Sequence, residues 1–110
     1  MKFNNQKLLT IHRETVKNGG ARVFLTAYTD NIVCAMQTLS PSAFKVYLLL
    51  LMNKDKYDLW LSPAYIGERA HIHRDTARKC IYELEGFGYI VMRNDGVYDF
   101  YENPYPYNDN

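Results

Sequence analysis

Residues 61–93 read LSPAYIGERAHIHRDTARKCIYELEGFGYIVMR, and this stretch decides the fold. It holds two helix patterns with their own start signals, a short link, a glycine break and an apolar strand. The first helix is predicted to begin after Ser62, because serine is a strong N-cap and Pro63 takes the first helical position, where its missing N–H costs nothing. Tyr65, Ile66 and Ala70 follow at helical spacing. His73 is expected to cap the next helix, since Ile72 before it is apolar and Arg74, Asp75 and Thr76 make a polar first turn. The link between the helices is about 3 to 4 residues, the length that two helices packed across a tight turn require.

At roughly 100° per residue, Ala77, Cys80, Ile81, Leu84 and Phe87 fall in one arc of the second helix, and Asp75, Arg78, Lys79 and Tyr82 in the opposite one. The apolar arc is explained by packing against the preceding helices. The polar arc puts two cations and two hydrogen-bonding side chains on the surface, which any amphipathic helix does. Its meaning comes from position: in the second helix after a tight turn, base-reading side chains come from the N-terminal turns.

At these residues the chain resembles the winged helix-turn-helix family of bacterial DNA-binding proteins. Ile72, Thr76, Ala77, Cys80, Ile81, Leu84, Gly88, Tyr89 and Ile90 stand where that family carries an apolar residue, Thr with a small or β-branched neighbour, a small-plus-apolar pair, Leu, and Gly followed by two apolar residues. The resemblance implies an α+β winged helix-turn-helix fold and DNA binding, although some winged helices bind only protein. It extends upstream to LSPSAFKVYLLL at 39–50, where Ser40 and Pro41 again mark a helix start and the run from Leu48 to Met52 is apolar on every face, as burial on several sides demands. Such layouts, with an N-terminal extended section before a Leu-Ser-Pro helix, occur on Gram-positive plasmids, phages and conjugative elements.

Around this core, residues 53–56 make a polar turn, and Asp58, Leu59, Trp60 and Leu61 alternate as a short strand with Leu59 and Leu61 inward and Trp60 toward the surface or a partner. Residues 89–93 and 97–102 flank Asn94-Asp95-Gly96, a good hairpin signal because the turn needs residues that tolerate positive φ. This hairpin is the expected wing. Arg93 and Asn94 are placed to meet phosphates, Asp95 and Asp99 to repel them, and a hairpin that touches no nucleic acid is the alternative. Residues 6–14 and 22–28 are expected strands around a turn at 18–20, a β-hairpin-like extension, with a helix or turn at 30–37 leading into Leu39. One domain over residues 1–102 is expected, with 1–38 the extension, 39–102 the core motif and wing, and 103–110 a tail. The tail's two prolines bar a central strand. It is either a loose end or a contact for another subunit or protein.

With 110 residues and 47% hydrophobic content, the chain can bury one core but not two. Its start lacks the apolar core of a secretory signal, and no run is long enough to span a bilayer. A cytoplasmic location is the expectation. Cys34 and Cys80 are expected to be reduced, Cys80 as a small buried residue. His71 and His73 lack Cys or carboxylate partners at ligand spacing, so neither a metal nor a cofactor is expected. No phosphate-binding glycine loop or nucleophile with a paired base is present, and Ser40, Ser42 and Ser62 are explained by helix starts. No catalytic residue is assigned.

Net charge is +1, low for a DNA binder, so its distribution carries the argument. Residues 1–30 hold five bases against two acids, whereas 94–110 hold four acids and no base. Modest phosphate neutralisation per subunit points to a homodimer or to several copies on repeated sites. The reading is a sequence-specific double-stranded DNA-binding protein, a transcriptional regulator or a factor marking an origin of replication or transfer. Arg78 and Lys79 are the expected base-edge or phosphate contacts, and Arg74 and Thr76 the phosphate anchors, with His73, Asp75 and Tyr82 beside them and Arg93 and Asn94 on the wing. Asp75 and Glu83 are expected to oppose deep approach to a negatively charged groove. The competing class is a protein-interaction module using Trp60, the tail and the tyrosine-rich wing.

Overall fold

A computed structural model describes residues 7–10, 27–52, 61–94 and 97–104. They form four helices and a two-stranded hairpin: α1 (Thr29–Thr38), α2 (Pro41–Met52), α3 (Pro63–Ala70), α4 (Arg74–Phe87), β1 (Ile90–Met92) and β2 (Tyr98–Phe100). The architecture is α+β. No helix among the described residues is long and apolar enough to cross a membrane.

The helix starts follow the local chemistry. Ser62 Oγ accepts the Tyr65 N–H at 3.3 Å with Pro63 in the first turn. His73 Nδ1 accepts the Asp75 N–H at 3.1 Å. Ser40 opens α2 through its own oxygens: Oγ accepts the Ala43 N–H at 3.3 Å and its carbonyl accepts the Phe44 N–H at 2.8 Å.

α3 and α4 also stop alike. His71 (φ 60°) and Gly88 (φ 89°) are left-handed, and each turn closes with paired bonds, Ile72 N–H to Gly67 O and His71 N–H to Glu68 O after α3, Tyr89 N–H to Leu84 O and Gly88 N–H to Glu85 O after α4. Only the first of these ends uses a side-chain-bearing residue at positive φ.

α2 is the central helix, with Ala43, Val46, Tyr47, Leu49, Leu50 and Leu51 buried. Met52 is exposed, so the all-round apolar run ends one residue early. α3 packs Ile66, Gly67 and Ala70 inward, and α4 packs Ala77, Cys80, Ile81 and Leu84. Tyr47 sits at the centre, stacked on Phe44 at 5.9 Å, edge-on to Tyr89 at 5.3 Å and tilted against Phe100 at 5.7 Å. Its hydroxyl donates to the Glu102 carbonyl at 2.9 Å. Burial above all, then the nearby Glu102 charge, holds the Tyr47 phenol far above its ordinary range, which keeps it a donor.

The hairpin is antiparallel in the register Ile90↔Phe100, Val91↔Asp99, Met92↔Tyr98. Ile90 and Phe100 press against the core. Met92 and Tyr98, one step farther along the same face, reach past it and are exposed. The Arg93 N–H closes the pair on Val97 O at 2.6 Å, while Asp95 and Gly96 lie outside the described residues.

Most of the expected strands at 6–14 and 22–28 lies outside the described residues. Residues 11–26 lie outside the described residues, but 7–10 carry no ladder, and Leu8 and Leu9 are 96% and 77% exposed. At Tyr28 both backbone groups serve α1: the N–H donates to Glu102 Oε2 at 2.8 Å, and the carbonyl accepts from Asn31 and Ile32. Tyr28 itself therefore joins no ladder. The expected helix at 30–37 is α1, which buries Ala35 and packs Ile32 against the core. The strand at 58–61 and Trp60 lie outside the described residues, except Leu61, which packs against the core as expected.

Candidate nucleic-acid interface

The α3–α4 angle is fixed at the turn of residues 71–73. A Cβ on Gly67 would stand 2.7 Å from Ile72 O and 3.3 Å from both N and Cα of Arg74. The first residue of α4 therefore rests directly on the backbone of α3. With its inner face sunk in the core, α4 is held against α3 through this contact and turns its outer face to solvent.

That outer face carries the expected residues. His73, Arg74, Asp75, Arg78, Lys79 and Tyr82 are all exposed, Tyr82 at 64%. Three of them are joined: Arg78 Nη1 donates to Asp75 Oδ1 at 3.0 Å, and Asp75 Oδ2 lies 3.7 Å from the capping His73 Nδ1. Thr76 is half-buried, one residue before the buried Ala77. Arg93 and Asn94 are exposed at the distal end of β1, with Arg93 Nη1 3.8 Å from Asp99 Oδ1. Asp99 thus draws that cation back along the hairpin rather than merely repelling phosphate.

Two expectations about α4 need correction. The helical wheel puts Phe87 in the apolar arc, but the side chain is 44% exposed. It sits roughly 70° off the centre of that arc, in the last turn before Gly88 swings the chain away. Glu83 does not face outward with Asp75. Its Oε2 accepts the Ser40 N–H at 2.7 Å and its Oε1 accepts the Ser40 hydroxyl at 2.8 Å, so its charge caps the start of α2. It adds little negative charge to the outer face.

Glu102 does for α1 what Glu83 does for α2, through Tyr28 N–H and Asn31 Nδ2, both at 2.8 Å. Sequence reasoning misses both clamps, because the partners are 43 to 74 residues apart in the chain. Gly67 does carry a signal: a glycine inside a helical pattern marks a close approach. Among the described residues no group of three or more His, Cys, Asp or Glu is placed to hold a metal ion. Both cysteines are free thiols, Cys34 exposed and Cys80 buried. Compared with family models, with curated proteins and with solved structures, the chain matches none.

Proposed function

We propose that this chain is a sequence-specific double-stranded DNA-binding protein of winged helix-turn-helix type, without enzymatic activity, that lays α4 in a major groove and rests its hairpin on the backbone. The observation that carries this reading is the outer face of α4, where Arg74, Asp75, Arg78, Lys79 and Tyr82 stand exposed on a helix whose other face is core. A helix held this way presents fixed donors and acceptors to base edges. Glu83, turned to Ser40, leaves that face more cationic than its composition suggests. The setting is cytoplasmic, and the role is that of a transcriptional regulator or of an accessory factor marking an origin on a mobile element.

The test is a variant with Arg78 and Lys79 both changed to Ala. Neither side chain is part of the core, so the melting temperature should hardly move. Affinity for a selected duplex should fall strongly, each good bidentate base contact being worth about 1–3 kcal/mol. Unchanged affinity would remove α4 as the reading helix. With few cations per subunit, useful affinity comes from a homodimer or from adjacent copies, and light scattering with and without DNA decides between them.

A second reading, a protein-interaction module, is favoured by the exposed apolar side chains of Met92, Val97 and Tyr98 on the hairpin and of Val33 and Met36 on α1. Retention on a DNA or heparin column at low salt, lost as salt rises, separates the two.

A further inference from the structure

The acid on the outer face of α4 needs a reason. Asp75 stabilises the first turn of its helix, as any acid there does, and its exposed pair with Arg78 adds little stability. On a surface turned toward phosphates it also repels. We propose that Asp75 and Arg78 read one G·C pair as a unit, Arg78 taking N7 and O6 of the guanine and Asp75 the N4 amino group of its cytosine. This pairing rests on the DNA-binding reading above.

The chemistry of the two side chains fits that edge in order. In the major groove a G·C pair shows two acceptors on guanine and then a donor on cytosine. The Arg78–Asp75 pair shows donors and then an acceptor. Arg78 spends one of its donors on Asp75 Oδ1 at 3.0 Å, which ties the guanidinium to the carboxylate and leaves its other N–H groups to spend on a base. Among the described residues no donor bonds Asp75 Oδ2. The nearest cationic candidate, His73 Nδ1, is 3.7 Å away and already accepts the Asp75 N–H, so it has no proton to give that oxygen. Side-chain exposures of 49% for Arg78 and 63% for Asp75 leave both reachable by a duplex.

The pairing also divides labour on the helix. Neutralised by Asp75, Arg78 contributes little to sequence-independent attraction, which falls to Arg74 and Lys79. Asp75→Ala should therefore act in opposite directions on two measurements. Base discrimination at one position should flatten, while binding to random duplex should hold or tighten and its salt slope should steepen by about one charge as Arg78 is released to phosphate. A merely structural acid would lower both kinds of binding together.

The experiment selects duplexes from a random library with the unaltered protein, Asp75→Ala, Asp75→Asn and Arg78→Ala, then titrates the best duplex with each base pair at each position. Expected is a G·C preference of roughly five- to a hundred-fold at one position, reduced by Asp75→Ala and shifted by Asp75→Asn toward adenine on the cytosine strand, because an amide pairs with adenine. Asp75→Asn keeps a polar first turn, so it reads the effect even if the alanine variant loses helix. If Arg78→Ala abolishes specific binding but both Asp75 variants keep the original preference, the DNA reading stands and the paired-reading assignment falls. If the unaltered protein selects no duplex at all, both fall.

Discussion

Alanine at two glycines, Gly67 and Gly86, should move stability in opposite directions. Both lie in helices, so in each case the substitution gains helix propensity, up to about 1 kcal/mol. At Gly86, among the described residues, nothing lies within 4 Å of the added Cβ, and the gain should appear undiminished. At Gly67 the same methyl meets Ile72 O at 2.7 Å, a separation real Cβ atoms essentially never show, and the neighbour is backbone that also bonds back through the Ile72 N–H to Gly67 O at 2.9 Å. The turn cannot yield without lengthening that bond and shifting Arg74. Overpacking of this kind costs about 1–3 kcal/mol, so against the full propensity gain the net loss should reach about 2 kcal/mol at the upper end, or roughly 8–16 °C of melting temperature for a domain of this size. Thermal and urea denaturation of the two variants in one buffer give the comparison. A Gly67→Ala protein as stable as Gly86→Ala would refute the close packing of α3 on the turn, and with it the fixed orientation of α4.

Other outcomes follow from single contacts. His73→Ala should cost about 1 kcal/mol through loss of the α4 cap, and His73→Asp should restore it, both read by urea denaturation. Tyr47→Phe should cost about 1 kcal/mol at neutral pH through the lost bond to Glu102 O. Because the folded-state value of Tyr47 is raised, its phenol supports the fold below the ordinary tyrosine range and that support is lost as pH rises through and beyond it, so the unaltered protein should lose more stability than Tyr47→Phe on titration to alkaline pH. Native alkylation followed by mass spectrometry should modify Cys34 quickly and Cys80 only on unfolding, since burial covers the Cys80 thiol and pushes its ionisation up, with the Glu83 charge adding to it. Equal rates would mean that α4 lies loosely on α2.

What the sequence discloses and what it hides divide along chain distance. Ser40, Ser62, Pro63, His73 and Gly88 act within a few residues of themselves, so local chemistry alone bounds α2, α3 and α4. The outer face of α4 is legible for the same reason, because helical period alone sorts Arg78 and Lys79 from Cys80 and Ile81. Glu83 misleads because the wheel assigns it an angle but not a partner, and that partner, Ser40, comes from another helix. Phe87 misleads because periodicity does not register where a helix leaves its neighbour. In the N-terminal part, apolar residues at Leu8 and Leu9 suggest strand pairing, whereas the described residues there show exposed leucines and a Tyr28 committed to starting a helix.

The two glutamate clamps impose a temporal order on synthesis. α1 and α2 leave the ribosome first, yet their N-terminal amides are satisfied by Glu102 and Glu83, which arrive later. Until then the Tyr28 and Ser40 N–H groups lack these partners, and isolated segments of 10 and 12 residues are marginal in water on their own. The nascent chain should thus stay uncommitted until α4 emerges, and the start of α1 until the far end of the hairpin follows. In the finished protein the Ser40 and Tyr28 amide hydrogens become reporters of these long-range closures. Their exchange with solvent should track the opening of α4 against α2 and of the hairpin end against α1, rather than the fraying of the helices they begin.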